Sequence, residues 1–263
     1  MSKEVTQRLR FVTFNIRHGV GMDGFLDLER VAVVLEEIAA DVLCLQEVDR
    51  NWGRRSGHVD QAGWLAERLG MHHVFAPNIE ADPVEPATER RQYGMATLTV
   101  FPIRSTVRML LDRPLGGEQR GLLEVGIVVG GVPMRVLNTH LEFASHAERV
   151  VQAATVRDAV RNGPAPVVLL GDFNAEPVSE EIGLVTQNLV DAWRVAGSGD
   201  GFTFDAAAPF MRIDYVLVST EITVTSAAVV PTDASDHLPV VVDVFLPLPQ
   251  HPGALSGHDR RDP

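Results

Sequence analysis

Val167-Val168-Leu169-Leu170-Gly171-Asp172-Phe173-Asn174 is the stretch of sequence that decides the fold. Its apolar run predicts a buried strand, and Asp172 and Asn174 come just past the strand end. Residues two apart in an extended segment point the same way, so Phe173 would point into the core between them. A carboxylate placed there can orient a water, and an amide can hold that water or a phosphate oxygen. The alternative is a turn or helix cap before Glu176-Pro177, and the pattern favours the functional interpretation.

Five other polar motifs also follow apolar stretches, and loops after strands are where proteins place functional side chains. These motifs are Phe14-Asn15, Gln46-Glu47, Asn138-Thr139-His140, Ile213-Asp214-Tyr215 and Ser235-Asp236-His237. Each one alone is explained by a turn, a salt bridge or a structural histidine. Six such strand ends in one chain are hard to explain as packing. Together they predict a site of carboxylates, amides and imidazoles around a hydrated metal and a phosphate.

Glu47 and Asn15 are the first candidate metal ligands. Glu47 ends an apolar run, where a carboxylate is costly to bury without a partner, and Mg²⁺ or Mn²⁺ would supply one. A salt bridge between Glu47 and Arg50, or exposure to solvent, is the competing explanation. The amide of Asn15 offers an oxygen to a metal or a nitrogen to a phosphate, and a turn-closing role is its alternative.

Two histidines are candidates for acid-base or electrostatic work. His140 could stabilise charge on phosphorus or protonate a leaving oxygen. Asp214 is a plausible partner for His237, and such a pair would raise the imidazole pKa and fix its tautomer. The alternatives are a structural His140, and an Asp214 that pairs with Arg212 or caps a turn.

Strands and helices alternate along most of the chain. Asp27 and Asp60 are placed to cap helices over residues 28–39 and up to Gly70, and further helices are predicted over 147–161 and near 179–187. The predicted strands cover residues 9–16, 41–48, 94–100, 106–110, 122–129, 133–138, 167–170, 212–218, 222–229 and 239–246. Residues 77–92 are rich in proline and charge and are predicted to form a loop.

The order of these elements favours an α/β fold. Gly130-Gly131 is a hairpin signal, and hairpin pairs mixed with strand-helix units indicate mixed sheets with helices outside, a layered sandwich. A single domain is predicted over residues 5–247. Residues 248–263, rich in Pro, Gly, His and Arg, are predicted to be a disordered tail.

Composition narrows the class of protein. The chain has 263 residues, 45% of them hydrophobic, with one cysteine, which suits a core but no internal disulfide. Cys44 is predicted to be a buried core residue.

The sequence contains no membrane-length apolar run and no apolar signal region, and the prediction is a cytoplasmic protein. The net charge of −12 disfavours tight binding of nucleic acid and favours a small or locally bound phosphate ester. Oligomeric state is left open.

The loop after the Glu47 strand contains an aromatic residue among arginines. Trp52 and His58 lie there together with Arg54 and Arg55. An exposed aromatic side chain between arginines could hold a substrate, and a solvated loop with one packed tryptophan explains the pattern equally well.

In this order the motifs resemble those of the endonuclease/exonuclease/phosphatase superfamily, which includes pancreatic-type deoxyribonuclease, apurinic-site endonucleases, neutral sphingomyelinases and inositol polyphosphate 5-phosphatases. The resemblance runs from about Leu9 to Val244 and is most specific in 171–174 and 235–237. It also covers the Tyr93-Gly94 pair. The histidine at 140 matches the deoxyribonuclease and sphingomyelinase branches, whereas apurinic-site endonucleases usually have asparagine. After Gly94 the family's basic contact is missing.

The resemblance implies a four-layer α/β/β/α sandwich and a role for each candidate residue. Glu47 would be the principal metal ligand, beside Asn15 and Asp236. Asp172 would position the attacking water, and Asn174 and Tyr93 would bind the phosphate. His237, supported by Asp214, would act as a base or as a phosphate ligand. His140 would stabilise the developing charge or assist the leaving group. Whether one or two metals operate stays open.

The expected activity is hydrolysis of a phosphodiester or phosphomonoester by in-line attack of water, with Mg²⁺ or Mn²⁺ as cofactor. A small or lipid-derived substrate is the first choice. A metal-dependent nuclease is the second, and a binding protein on a catalytically retired fold is the third.

Overall fold

Strand β1 (Thr6–Asn15) shows how the sequence builds the layers, because it buries side chains on both faces. Leu9 and Phe11 point to one core and Val12 and Phe14 to another, as expected from the two-residue period of a strand. A strand covered on both faces must lie inside a layered structure. This computed structural model describes residues 5–164 and 166–249.

Twelve strands and five α-helices are found in that part of the chain. The strands are β1 (Thr6–Asn15), β2 (Val42–Arg50), β3 (His72–Ala81), β4 (Arg91–Thr99), β5 (Ser105–Leu110), β6 (Gly121–Val129), β7 (Val132–His140), β8 (Val167–Asp172), β9 (Val190–Asp191), β10 (Asp214–Val218), β11 (Thr223–Val229) and β12 (Val240–Pro247). The helices are α1 (Leu28–Ile38), α2 (Gln61–Leu69), α3 (His146–Arg161), α4 (Glu180–Val185) and α5 (Ala192–Ala196). Two short 3₁₀ turns cover Arg17–Gly19 and Arg54–Ser56.

The strands form two mixed six-stranded sheets that share one core. Their orders are β11-β12-β1-β2-β4-β3 and β5-β6-β7-β8-β10-β9. One apolar cluster joins the facing sides of the two sheets, and it includes Cys44, as predicted. A second cluster joins α1 and α2 to the outer face of the first sheet, and a third joins α3 and α4 to the outer face of the second. The predicted four-layer α/β/β/α sandwich is therefore confirmed.

Turn and cap chemistry agrees with the sequence at several element ends. Gly130 and Gly131 connect β6 to β7 with φ values of 55° and 86°, which side chains other than glycine rarely adopt. Asp27 and Asp60 accept hydrogen bonds from Arg30 N and Gly63 N at the starts of α1 and α2.

The predicted loop over residues 77–92 is wrong at both ends. Strand β3 continues to Ala81 and β4 begins at Arg91, so the loop covers only 82–90. β3 is the last strand of its sheet, where Pro77 is tolerated at a register shift because an edge strand needs fewer backbone donors. The short elements β9 and α5 were also not predicted.

The domain prediction over 5–247 stays a prediction. Leu248, placed in the tail by the sequence, packs against the inter-sheet core and its N–H donates to Val5 O. The rest of the predicted tail, 250–263, lies outside the described residues. Among the helices of the described residues, none combines the length and the apolar character that crossing a bilayer requires.

Candidate active site

Three neighbouring strands of the second sheet carry candidate residues in one row. In the strand register, Asp172 pairs with His140 on one side and with Asp214 on the other. His140 Nε2 lies 3.4 Å from Asp172 Oδ2. All three side chains are at least nine-tenths buried, so the row forms the floor of a site at the end of the sheet.

Gly171 lets the strands approach closely beside this row. Its φ is 153°, and a Cβ built there would lie 2.1 Å from Thr139 O. A side chain at 171 would therefore push β8 away from β7, and with it Asp172 away from His140.

Asp172 and Asn174 are brought together by a turn and not by an extended segment. Asn174 has φ 48°, and its N–H donates to Asp172 Oδ1 at 2.9 Å. The expectation of two parallel side chains in a strand is thus wrong, since asparagine tolerates the left-handed region and the turn reverses the chain. The turn still puts Asn174 Nδ2 3.2 Å from His140 Nε2, and Phe173 is fully buried as expected.

Glu47 faces this row from the first sheet, and it sits in a β-bulge. The register of β2 against β4 shifts between Leu45 and Val48, and Glu47 has φ 54°. The sequence placed Glu47 at a strand end, but β2 continues to Arg50, which pairs with Asp60. A bulge turns the half-buried Glu47 carboxylate out of the alternating pattern and toward the site.

Asn15 joins the two sheets at the site. Its Nδ2 donates to Glu47 Oε1 at 3.1 Å and to Asp172 Oδ2 at 3.0 Å. Its Oδ1 accepts from Arg17 N at 3.1 Å. The opposite amide orientation would place its oxygen between two carboxylates, so the hydrogen-bond network assigns Asn15 as a donor here. Its predicted role as a metal ligand would require the amide to rotate.

A second pair of amides fixes the sheets below the site. Gln46 Nε2 donates to Asn138 Oδ1 at 2.8 Å, and Asn138 Nδ2 donates to Leu45 O at 3.2 Å and to Ala96 O at 2.9 Å. Both amide side chains are fully buried. Asn138 therefore holds the strand of His140 against the bulge of Glu47.

His237 reaches the row from the loop before β12. Its Nδ1 lies 2.9 Å from Asp214 Oδ2, and its Nε2 lies 3.7 Å from Asp172 Oδ2. Phe204 packs against the imidazole at a centroid distance of 4.9 Å. Arg212, the competing partner for Asp214, instead binds Asp191.

Burial and neighbouring charges shift the pKa values of the two histidines in opposite directions. Burial alone would lower the pKa of His237, but Asp214 and Asp172 together raise it to about 10. Burial and the guanidinium of Arg120 hold the pKa of His140 well below its usual value. Burial and the neighbouring Asp214 carboxylate raise the pKa of Asp172 to about 7. At neutral pH, His237 is then an imidazolium and His140 a neutral imidazole.

Asp236 and Tyr93 lie at the edges of the site. Asp236 is half-buried, and its Oδ2 lies 3.3 Å from Arg17 Nε. The Tyr93 ring lies 6.0 Å from the Trp52 ring, and Arg55 lies over it at 5.4 Å. Burial, and then the nearby Glu47 carboxylate, raise the pKa of Tyr93 well above its usual value, so its hydroxyl is a donor.

Sequence reasoning missed two arginines. Arg120 is buried, and its Nη1 lies 3.0 Å from His140 Nδ1. Arg120 directly precedes β6, and the register that pairs Gly121 with His140 brings it there. In the sequence, Arg120 is recognisable as a basic residue at the start of an apolar run. Arg17 stands two residues after Asn15, and this short spacing from a candidate site residue could have indicated it.

The donor set fits a divalent cation. The ligand atoms of Asp172, Asp214 and His237 lie within 4.8 Å of one another. Asp214 Oδ1 is buried without a hydrogen-bond partner in the described residues, and Glu47 is linked to the same group through Asn15. Because the His237 imidazolium has no free lone pair, the carboxylate oxygens, among them the unpartnered Asp214 Oδ1, are the donors that suit a hard cation. Three predicted ligands, Glu47, Asn15 and Asp236, lie beside this group.

The sequence of this chain matches the model of the "Endonuclease/Exonuclease/phosphatase family" over residues 12–237. The chain therefore belongs to that family, whose members are in general hydrolytic phosphoesterases and typically depend on divalent metals. The predicted family resemblance is confirmed.

Individual proteins agree with this assignment. Nocturnin of Rattus norvegicus is 26% identical over 188 residues, which cover 62% of this chain and 41% of nocturnin. This chain thus spans about two fifths of that relative. An endonuclease/exonuclease/phosphatase from Beutenbergia cavernae superimposes with a TM-score of 0.79 at 29% identity, covering 91% of this chain and 72% of that one. The human nocturnin catalytic domain with bound sulfate gives a TM-score of 0.71 at 25% identity, covering 92% and 96%.

Proposed function

We propose that this protein is a divalent-metal-dependent phosphoesterase that hydrolyses a small or lipid-derived phosphate ester by in-line attack of water. The observation that carries the proposal is the convergence of four residues on the Asp172 carboxylate, three through their side chains and Asn174 through its backbone N–H. Asn15, Asn174, His140 and His237 all approach it within 3.7 Å, and Asn15 also contacts Glu47. A structural ion pair needs one partner, whereas a reaction centre needs several groups held around one point.

Asp172 is suited to orient the attacking water and to accept its proton. Without a bound metal, burial and the neighbouring Asp214 carboxylate raise the pKa of Asp172 to about 7, and a raised pKa makes a carboxylate a stronger base. Asn15 and the Asn174 N–H hold its two oxygens, so the carboxylate keeps one orientation. Asn174 and Tyr93 offer N–H and O–H groups to the phosphate oxygens.

The two histidines take different roles. His237 remains charged, because Asp214 and Asp172 stabilise the imidazolium, and it therefore binds a phosphate oxygen and does not act as the base. His140 is neutral and, with Arg120 beside it, lies where charge develops on the phosphoryl group or the leaving oxygen.

Glu47 and Asp236 would hold the metal, with Asn15 beside them, and Asp214 Oδ1, unpartnered among the described residues, offers a further oxygen. The bound Mg²⁺ or Mn²⁺ would neutralise phosphate charge and lower the pKa of coordinated water. The sulfate in the human nocturnin catalytic domain is an oxyanion of the same shape as phosphate, and it supports an oxyanion as the bound group here.

The test is hydrolysis of bis(p-nitrophenyl) phosphate with Mg²⁺ or Mn²⁺. We expect Glu47→Gln and Asp172→Asn each to lower kcat/KM by about a hundredfold or more, since each removes a charge at the reacting centre. Glu37→Gln is the matched control, because Glu37 is an exposed carboxylate on α1. Near-normal rates in both site variants would reject the proposal.

A panel of phosphomonoesters, phosphodiesters, phospholipids and DNA separates the competing functions. Hydrolysis of DNA with steeply salt-dependent binding would favour a nuclease. Calorimetric binding of Mn²⁺ without turnover of any panel member would favour a retired binding protein. The cytoplasmic location and the domain bounds 5–247 remain predictions from the sequence.

A further inference from the structure

A pocket of about 540 Å³ opens beside the carboxylate site. The loop after β2 contributes Trp52, Arg54 and Arg55 to its wall, and residues 84–86 and Arg91 also line it. The size lies within the range of about 300–1,000 Å³ that small-molecule sites occupy. None of the candidate residues for phosphate hydrolysis lines it, so the pocket has its own chemistry.

The pocket and the proposed catalytic site share a wall. The guanidinium of Arg55 lies 4.8 Å from the Trp52 ring centre and 5.4 Å from the Tyr93 ring centre. Trp52 faces the pocket, whereas Tyr93 lies close enough to Glu47 for that carboxylate to raise its pKa. A substrate whose scissile phosphate contacts Tyr93 would therefore extend past Arg55 into the pocket.

Arg55 is part of the framework of this wall. Its Nε and Nη2 donate to the two oxygens of Asp49 at 2.8 and 2.7 Å, and the Asp49 carboxylate is fully buried. This bidentate pair neutralises Arg55 and fixes its planar group against the Trp52 ring.

Arg54 and Arg91 supply the unneutralised charge. In residues 5–164 and 166–249, neither of them forms an ion pair, and Arg91 Nε donates to the Asp82 carbonyl. Arg91 also lies 5.7 Å from the Trp52 ring centre, so its side chain is directed along the pocket wall. Glu85 is the single acidic residue lining the pocket in that part of the chain. Besides Arg55, two guanidinium groups without an acidic partner among the described residues therefore line one pocket of a chain with net charge −12, and the planar fork of donors on each matches phosphate.

We propose that this pocket binds a second, non-scissile phosphate of the substrate, carried on a sugar-sized group and held by Arg54 and Arg91. The inference rests on the proposed function, because it assigns the pocket to the substrate of the neighbouring phosphoesterase site. It narrows the substrate class to compounds that carry two phosphates, of which one is cleaved.

The kinetic test compares two substrates that differ by one phosphate: thymidine 5′-(p-nitrophenyl phosphate) and the same compound with a 3′-phosphate. With Mn²⁺, we expect the 3′-phosphate to lower the wild-type KM about tenfold, the effect of one charge-assisted contact. The double variant Arg54→Gln/Arg91→Gln should lose this difference and keep kcat for the compound without the 3′-phosphate. Arg157→Gln is the control for loss of a positive charge, since Arg157 lies on α3 and pairs with Asp158.

A binding measurement makes the test independent of catalysis. Calorimetry with inorganic pyrophosphate in EDTA should show binding to wild type that weakens about tenfold or more in the double variant, but not in Arg157→Gln. If neither substrate is hydrolysed yet pyrophosphate binding depends on the two arginines, the proposed function fails and the pocket stands. If hydrolysis occurs and the double variant matches wild type in both measurements, the pocket assignment is overturned and the phosphoesterase stands.

Discussion

Asn138→Ala should strongly destabilise the fold, because this residue of the second sheet satisfies buried polar groups of the first sheet and so links the two sheets. Its amide nitrogen serves the carbonyls of Leu45 and Ala96 beside the bulge of Glu47, and its oxygen accepts from Gln46. Alanine leaves two buried carbonyls without this donor, at about 1–3 kcal/mol each. Gln46 Nε2 retains Thr13 Oγ1 and Cys44 O as acceptors, so it adds little to the cost.

The expected loss is therefore about 3–5 kcal/mol of unfolding free energy, the middle of the range for two carbonyls. For a chain of this size, it corresponds to a fall in Tm of about 6–20 °C. Urea unfolding followed by circular dichroism measures it, with an unchanged slope and a lower midpoint. Asn188→Ala is the control, because Asn188 is exposed, and its cost should stay within about 0.5 kcal/mol.

A second variant tests the physical reason. Asn138→Asp keeps the size of the side chain but replaces the NH₂ donor by an acceptor facing two carbonyls. We expect it to be at least as unstable as the alanine variant at pH 7. A loss below about 1 kcal/mol in either variant would refute the reasoning, since it would mean that the carbonyls are satisfied without Asn138.

Two further predictions concern charge states. In metal-free protein, NMR should show the His237 imidazole protonated between about pH 5.5 and 8.5. The variant Asp214→Asn should lower the His237 pKa toward the ordinary value of about 6.5. A wild-type His237 that titrates near that value would contradict its assignment as an imidazolium. The hydrogen bond from Arg10 chiefly holds the pKa of Asp243 well below its usual range, so Asp243 contributes stability above the unfolded-state pKa of about 3.9 and loses it as the pH falls further. In urea unfolding, Asp243→Asn should lower the unfolding free energy by about 1–2 kcal/mol at pH 7, and this difference from wild type should shrink below about pH 4. A difference that does not change with pH would contradict the role of the ionised Asp243 carboxylate.

The layers and most strand-end residues could be predicted from sequence because they depend on local pattern. Continuous apolar runs such as residues 167–170 in β8 indicate strands buried on both faces, and a polar residue that follows such a run lies at the end of the strand. Asn15 and Asp172 were found in this way. Asp214 instead begins β10, and it lies at the same end of the sheet because β10 is antiparallel to β8. Their mutual contacts then follow from the strand order, which brings the same edge of several strands together.

What could not be predicted depends on pairing between distant segments. The bulge at Glu47 exists only against β4, whose partner residues lie almost fifty positions further along the chain. Arg120 reaches His140 because β6 and β7 are antiparallel neighbours, and neither residue alone indicates the other. The edge strand β3 was missed because its exposed residues and Pro77 match the composition of a loop, and an edge strand tolerates both.

In the proposed mechanism, the opposite charge states of the two histidines allow Asp172 to act as the base between them. His140 and His237 approach the same Asp172 oxygen at 3.4 and 3.7 Å, so distance does not distinguish them. Their neighbours do, because Arg120 makes a second positive charge at His140 costly, whereas Asp214 makes a positive charge at His237 favourable. If both were charged, they would hold Asp172 ionised well below neutral pH and weaken it as a base. If both were neutral, no imidazolium beside Asp172 would be available to bind the phosphate. Arg120, which precedes β6, and Asp214, which begins β10, therefore determine that the imidazole on one side of Asp172 is neutral and the imidazole on the other is charged.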